Sequence, residues 1–319
     1  MSVRKEWEWI LNGYGVADKD EKDGGGGGGG DKFPGVLPQA LGKDQIHEIR
    51  GRTLGPKRYC QYVSAPKADG TRMLMVWRDQ TLLFFNRKRQ MVQEMWNLTT
   101  NAPVVFDVEL LDDGTVLIFD MVWVNHKPLM DRYTYPQRLQ LAQAYLKRRG
   151  GSQYATDRWS LLGDHCWQLE GSGRIMRIKP IYHWFDAQHG LDQFPYPHDG
   201  VIFTPVHGPF PTYKWKPLDH ITVDLQLQVF KDPFGTASSE LVYDLMSTKN
   251  QRVGEIHVTQ PLDPGIWECR PQVQGDHLEW VAVRPRPDKT KPNPMNIVRD
   301  TLTTLHEGVT LEDVMDGPV

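Results

Sequence analysis

Short segments with the β-strand pattern, separated by turn residues, occupy most of this chain after residue 58. Residues 71–86 and residues 103–122 each read as two strands joined by a short polar turn, the pattern of a hairpin. Residues 135–149 differ, because apolar side chains recur there at helical spacing until the glycine pair that begins at Gly150. The chain is therefore predicted to fold as an α+β protein with antiparallel sheets.

The second half of the chain repeats the strand pattern in a form that predicts a small barrel. The strand-like segments, read from residue 223 to residue 283, are VDLQLQVF, LVYDL, EIHVT, GIWECR and HLEWVAV. Five short strands with turn residues between them are typical of a closed barrel, and the OB-fold is the commonest five-stranded choice. A helix-like segment at 296–306, closed by Gly308, ends the pattern.

A length of 319 residues is long for a single hydrophobic core and suits two domains. We predict a first domain of residues 33–224 and an OB-fold domain of residues 225–319, with the closing helix packing back toward the first domain. Residues 1–32 are predicted to be an N-terminal segment that contains a flexible linker, because residues 24–30 are seven consecutive glycines.

Composition excludes several classes of protein. The hydrophobic content of 39% with 24% charged residues suits a globular chain. A net charge of -3 restricts any contact with nucleic acid to local patches. Three widely spaced cysteines form no disulfide framework and favour a reducing compartment. The lack of an apolar run of about 20 residues predicts no membrane partner.

Three groups of polar residues could carry chemistry. Lys67 precedes an Asp-Gly pair in the stretch SAPKADGTR, which is equally typical of a turn with a surface lysine. Asp107 and Glu109 alternate with apolar residues, so they share one strand face and could serve a metal or a ribose. Lys214 and Lys216 likewise share a face. For either pair alone, a solvated surface is the simpler interpretation.

Taken together, the three groups meet the requirements of a lysine nucleophile. A lysine with its reference pKa of about 10.4 is almost wholly protonated at pH 7, and closing that gap takes about 4.6 kcal/mol. Neighbouring cations and a bound metal lower the pKa of an amine. A phosphate held by lysines would supply the electrophile.

These residues belong to an ordered set of motifs that resembles the mRNA capping guanylyltransferases. The motifs are KADGTR at 67–72, FDVEL at 106–110, FDMV at 119–122, DGVIF at 199–203, KWKP at 214–217 with TVD at 222–224, and RPDKTKPN at 286–293. The first resembles the KxDGxR motif of the lysine nucleotidyltransferase superfamily, which also contains DNA and RNA ligases. The lysine motif with TVD, and the RPDK motif continuing to PN, are similar to the capping branch. The chain departs from the pattern at Val108, where the family usually has glycine.

The resemblance implies a covalent mechanism and a set of site residues. Lys67 would attack the α-phosphate of GTP and carry GMP to the 5′-diphosphate end of RNA. The implied GTP-binding residues are Arg72 and Glu109 at the ribose, Lys179 as a further basic position, Lys214 and Lys216 at the α-phosphate, and Arg286, Asp288 and Lys289 at the β- and γ-phosphates. A divalent metal, Mg²⁺ or Mn²⁺, would be held by Asp199, with Asp107 as a second candidate ligand.

The resemblance also implies partners and a location. An RNA triphosphatase and a cap methyltransferase would act in trans, and RNA polymerase is a further candidate partner. The location would be the nucleus in a cellular eukaryote, and the cytoplasm or virion if the source is a virus. Two other functions fit the same motifs: an ATP-dependent polynucleotide ligase, and a non-catalytic RNA-binding module of the same fold.

Overall fold

A computed structural model describes most of the chain after residue 35. The described residues are 36–50, 61–78, 81–86, 90–96, 103–125, 127–150, 159–161, 166–169, 175–208, 210–229, 241–275 and 277–315. The predicted N-terminal segment and its glycine tract lie outside them. The chain divides into two compact units, the first made of Met1–Gln39 and His47–Lys214, the second of Ala40–Ile46 and Trp215–Val319. This division precedes the boundary expected at residue 224, which stays a prediction.

Strands dominate the described residues. In chain order they are β1 (Gln39–Ala40), β2 (Tyr62–Ala68), β3 (Thr71–Arg78), β4 (Thr81–Phe85), β5 (Met91–Trp96), β6 (Val104–Leu110), β7 (Val116–Val124), β8 (Lys127–Pro128), β9 (Trp159–Leu161), β10 (Cys166–Leu169), β11 (Ile175–Ile178), β12 (Tyr182–His183), β13 (His198–Pro205), β14 (Tyr213–Trp215), β15 (Val223–Val229), β16 (Leu241–Met246), β17 (Arg252–Val258), β18 (Gly265–Gln274) and β19 (His277–Pro285). The helices are α1 (Lys43–Ile49), α2 (Tyr135–Gly150), α3 (Ala187–Asp192), α4 (Met295–Glu307) and α5 (Leu311–Met315).

The first unit contains two sheets. The smaller has the order β1-β14-β13-β2-β12, and the larger has the order β5-β4-β3-β6-β7-β11-β10-β9 with β8 added to β7. The pairs β3–β4 and β6–β7 are antiparallel neighbours, which confirms both predicted hairpins. Strand β11 pairs with β7 in the parallel direction. The α+β class with largely antiparallel sheets is confirmed.

Strand β6 has one apolar face and a second face, here called the polar face, on which two carboxylates follow the buried Val105. Val104, Phe106 and Val108 are buried in a core cluster that also contains Ala142 and Leu146 of α2. The predicted helix is therefore present, and it covers this face of the larger sheet. Asp107 and Glu109 alternate with these residues and lie on the other face. Val108 lies in β6 beside an irregularity in its pairing with β7, but its backbone has no positive φ, so a glycine is not required there.

The second unit is the predicted five-stranded barrel. Its sheet has the order β17-β16-β15-β18-β19. The two end strands approach each other, since a Cβ on Gly254 of β17 would lie 2.8 Å from Trp280 Nε1 of β19. Closing the sheet at this point gives the strand order of an OB-fold. Gly254 is needed here because any side chain would collide with the indole ring.

The closing helix of the second unit follows the sequence prediction closely. Helix α4 ends at Gly308, whose φ of 58° is the left-handed cap that the glycine predicted. Val298 of this helix is buried in the core cluster of the barrel. Within the described residues, none of the helices has the length and apolar character needed to cross a membrane.

Candidate active site

Lys67 lies near the end of β2, where its side chain meets a carboxylate from the neighbouring strand. Its Nζ donates a hydrogen bond to Asp199 Oδ1 of β13 over 2.6 Å. The two side chains are about one quarter exposed, at 25% and 22%. The amine is therefore partly buried but still reachable by a substrate.

An irregularity in β13 creates this contact. His198 pairs with Ala68 and Val201 pairs with Pro66, so Asp199 and Gly200 together stand opposite the single residue Lys67. This arrangement is a β-bulge, which typically redirects a side chain near a functional site. Gly200 has a φ of 146°, a conformation that disfavours any residue with a side chain. The glycine thus allows the bulge that aims Asp199 at Lys67.

The turn after Lys67 is fixed on two sides. Asp69 N donates a hydrogen bond to Pro197 O over 2.9 Å, which ties the turn to the segment that enters β13. A Cβ on Gly70 would lie 2.6 Å from Leu110 O and 3.0 Å from Glu109 Cγ. Only glycine permits this approach, so the turn holds Lys67 at a defined distance from the end of β6.

Arg72 and Asp107 form a paired fork on the polar face of the larger sheet. Arg72 Nε donates to Asp107 Oδ1 over 2.9 Å, and Nη2 donates to Oδ2. Burial lowers the pKa of Arg72, but the Asp107 carboxylate more than offsets this, so the net shift is upward. Arg72 Nη1 also donates to Val36 O over 2.8 Å. The arginine is thus a fixed, permanently charged group.

Glu109 and Lys179 have pKa values displaced toward each other. Burial raises the pKa of Glu109 to about 7, although the Lys179, Lys67 and Arg72 cations oppose the shift. Burial lowers the pKa of Lys179 to about 8, while the Glu109 carboxylate opposes the shift. Groups that change charge near neutral pH are concentrated at functional sites.

The raised pKa of Glu109 makes a prediction about stability. The folded protein binds the Glu109 proton more tightly than the unfolded chain does, so the native sequence loses stability as pH rises between the two pKa values. The variant Glu109→Gln has no such proton. We expect its free energy of unfolding, relative to that of the native sequence, to increase from about pH 5 to about pH 8 in urea titrations.

An exposed glutamate provides the control for that experiment. Glu312 lies on the surface of α5. Glu312→Gln makes the same chemical change at that exposed position and is measured over the same pH range. A difference between Glu109→Gln and the native sequence that does not change with pH would contradict the raised pKa of Glu109.

The Phe119 ring contacts two of the cationic side chains of this site. Arg72 Cζ lies 5.1 Å from the centroid of the Phe119 ring, and Lys179 Nζ lies 5.6 Å from it. Cations at such distances from an aromatic ring are attracted to its face. Sequence reasoning placed Phe119 in a motif but gave it no role. Phe119 lies in β7 two residues after Leu117, and strand alternation puts both side chains on the polar face. This alternation is the sequence signal that could have placed Phe119 beside the cations.

Asp120 follows Phe119 and is held by α2. Arg138 Nε donates to Asp120 Oδ1 over 2.8 Å, and Nη2 donates to Oδ2 over 2.8 Å. Both side chains are nearly enclosed, at 7% and 12% exposure. This ion pair connects the start of α2 to the strand that carries Phe119. No local pattern in the sequence indicates this pair.

Comparison with known proteins decides the family. The model of the mRNA capping enzyme catalytic domain matches residues 17–218, and the model of the mRNA capping enzyme C-terminal domain matches residues 212–315. The chain belongs to the mRNA capping enzyme family. This confirms the resemblance drawn from the motifs and the nucleotidyltransferase class that it implied.

Individual relatives are distant. An mRNA-capping enzyme of Caenorhabditis elegans is 25% identical over 315 residues, which cover 87% of this chain and 47% of the worm protein. The chain therefore spans about half the length of that relative. The mRNA-capping enzyme subunit alpha of Candida glabrata is 21% identical, with 89% of this chain and 80% of the relative covered. A mycobacterial DNA ligase D complexed with ATP and MES is 12% identical, with 70% of this chain and 89% of that chain covered and a TM-score of 0.39.

The other implied nucleotide-binding residues of this capping enzyme homologue are divided between the units. Lys214 lies in β14 and Lys216 directly after it, on either side of the division between the units. In the second unit, Arg286 donates to Asp288 through Nε and Nη2, each over 2.9 Å, and through Nη1 to Asp224 over 2.8 Å. Lys289 Nζ lies 3.6 Å from Asp224 Oδ2.

The carboxylates of the first unit suit a cation that takes most of its ligands from the substrate. In the described part of the chain, no three His, Cys, Asp or Glu residues are close enough to hold a metal ion by themselves. Mg²⁺ is commonly bound by one or two carboxylates together with substrate phosphates. Asp199 is partly exposed and could serve in this way, whereas both oxygens of Asp107 accept hydrogen bonds from Arg72.

Proposed function

We propose that this capping enzyme homologue is an mRNA guanylyltransferase, which moves GMP from GTP to the 5′-diphosphate end of RNA through a covalent lysyl-GMP intermediate. The observation that carries the proposal is the partly exposed Lys67 amine, held by a glycine turn and a β-bulge against Asp199. The family match supports the choice of GTP and RNA as substrates.

In the proposed first step, the neutral Lys67 amine attacks the α-phosphorus of GTP. A phosphorus–nitrogen bond forms, the bond to the β-phosphate oxygen breaks, and pyrophosphate leaves with the electron pair of that bond. The amine loses one proton in this step. The Asp199 carboxylate, already hydrogen-bonded to Nζ, is in position to accept it.

In the proposed second step, a terminal oxygen of the RNA diphosphate attacks the same phosphorus. A new phosphorus–oxygen bond forms, the phosphorus–nitrogen bond breaks, and Asp199 returns the proton to the Lys67 amine. The product is a GpppN end. Because the acceptor is a diphosphate, a reaction that removes the γ-phosphate from the RNA 5′ end must supply it, and we propose a triphosphatase acting in trans.

In this proposal the remaining residues bind the nucleotide and orient it for the reaction. Arg72 and Glu109 hold the ribose, Lys179 adds a further contact to the nucleotide, and Lys214 and Lys216 hold the α-phosphate. Arg286, Asp288 and Lys289 engage the β- and γ-phosphates. Asp199 would hold Mg²⁺ or Mn²⁺ together with substrate phosphate oxygens, and the ion would neutralise charge on the phosphates.

Nucleotide labelling tests the proposal. The protein is incubated with magnesium and either GTP or ATP carrying a label at the α-phosphate, then separated on a denaturing gel. We expect a labelled band with GTP that survives denaturation and disappears when pyrophosphate is added, because the first step is reversible. Transfer of the label to 5′-diphosphate RNA should follow.

The two other functions make different predictions for the same gel. Labelling by ATP alone would identify a ligase and contradict the proposal. Absence of labelling by any nucleotide, with RNA binding retained, would identify a non-catalytic module. A label from GTP that is not transferred to RNA would support the lysyl-GMP intermediate but would contradict 5′-diphosphate RNA as the acceptor.

A further inference from the structure

Arg177 lies on the polar face of the larger sheet, the face that carries Arg72 and Glu109, and the proposed function does not use it. It stands opposite Leu117 of β7, which stands opposite Glu109 of β6, which in turn stands opposite Arg72 of β3. Residues that face each other across neighbouring strands project from the same face. At a strand spacing of about 4.8 Å, Arg177 lies about 10 Å across the sheet from Glu109.

In the part of the chain that the structure describes, an aromatic ring supports the Arg177 guanidinium and no carboxylate does. Its Cζ lies 5.7 Å from the centroid of the Tyr196 ring. Its Nε is buried and has no hydrogen-bond partner among the described residues. Within that part of the chain Arg177 also forms no ion pair. A buried donor left unpaired costs free energy and calls for an explanation, such as a ligand that completes it.

Tyr196 brings this arginine close to the nucleophile. Its ring packs against a cluster that includes Ala68 and Leu117. The next residue, Pro197, accepts the hydrogen bond from Asp69 N that fixes the turn after Lys67. Arg177 is therefore held beside the Lys67 turn by the same segment that leads into Asp199.

We propose that Arg177 binds a phosphate group of a substrate. A guanidinium is permanently charged and presents paired donors that match phosphate oxygens. Among the described residues of this face, Arg72 has the Asp107 carboxylate beside it and Lys179 has that of Glu109, whereas Arg177 has no carboxylate partner. The inference rests on the proposed function, because GTP and the 5′-diphosphate RNA are the two sources of phosphate at this site.

Separate assays of the two half-reactions distinguish the sources. Formation of the lysyl-GMP adduct is measured against GTP concentration, and transfer from the preformed adduct is measured against RNA concentration. For Arg177→Gln we expect the KM of one substrate to rise about tenfold or more, with the maximal rate nearly unchanged. A rise for GTP assigns the nucleotide phosphates, and a rise for RNA assigns the acceptor end.

Further variants test the chemistry. Arg177→Lys keeps the charge but loses the paired donors, so it should recover part of the affinity. Tyr196→Leu removes the supporting ring and should raise the same KM. Arg132→Gln, at an exposed arginine in the loop before α2, is the matched control and should change neither KM. A cooperative thermal unfolding transition, measured for each variant, would show that the variant is folded.

Two results would overturn the assignment. Arg177→Gln that folds and leaves both KM values unchanged would show that no substrate phosphate reaches the guanidinium. Equal losses in Arg177→Gln and Arg132→Gln would show a general effect of surface charge. Failure of the proposed function itself appears differently, as the absence of an adduct in the native sequence.

Discussion

Lys67→Arg forms no adduct with GTP. Arginine retains a positive charge at every accessible pH and therefore offers no free electron pair for attack on phosphorus. It can still form an ion pair with Asp199, so the fold around the turn should be retained. We expect adduct formation to fall by a factor on the order of a thousand or more, a loss of the size seen when enzymic nucleophiles are removed.

Labelling with GTP, followed by mass spectrometry of the adduct-bearing peptide, measures this loss. Lys127→Arg is a suitable control, since Lys127 is exposed in β8 of the same unit and should tolerate the change. An adduct that persists in Lys67→Arg, or one that maps to a different lysine in the native sequence, would refute Lys67 as the nucleophile.

Arg138→Met lowers the free energy of unfolding by about 3 to 5 kcal/mol. The substitution removes the partner of Asp120 and leaves a carboxylate in an enclosed position without its two hydrogen bonds. Removing one member of a buried ion pair is costly, because the remaining charge has lost its water as well as its partner. Urea unfolding followed by circular dichroism measures the effect.

Two comparisons make this experiment specific. Arg252 is paired with Asp244 and Glu255 but is 52% exposed, so Arg252→Met should cost no more than about 1 kcal/mol. Replacing both members, Asp120→Leu with Arg138→Met, should restore most of the stability, because no buried charge then remains. A loss below about 1 kcal/mol for Arg138→Met alone would mean that water reaches Asp120.

The features that the sequence predicted are those set by local pattern. Both hairpins, helix α2, the five barrel strands and the glycine cap of α4 follow from alternation, helical spacing and turn residues within about 20 positions of each other. The face shared by Asp107 and Glu109 is of the same kind. Each depends on neighbours along the chain, which a single sequence displays directly.

The features that the sequence did not predict depend on pairing between distant segments. The parallel pairing of β11 with β7 brings Arg177 and Lys179 to the polar face of the larger sheet. No local pattern specifies which strand β11 pairs with. The Asp120–Arg138 pair likewise depends on how α2 lies on the sheet. Val108 stands where the family usually has glycine, and the valine is compatible with the backbone there because its φ is not positive.

The bulge in β13 has an implication for protein engineering. A design procedure that rewards regular sheets would delete the extra residue at Gly200 or replace it with a strand-forming residue. Removing this residue would end the arrangement in which Asp199 and Gly200 together stand opposite Lys67, and with it the backbone geometry that aims the Asp199 carboxylate at the amine. At this position a regular strand is incompatible with the contact between Asp199 and Lys67. Stabilised versions of the protein should therefore keep residues 198–201 unchanged.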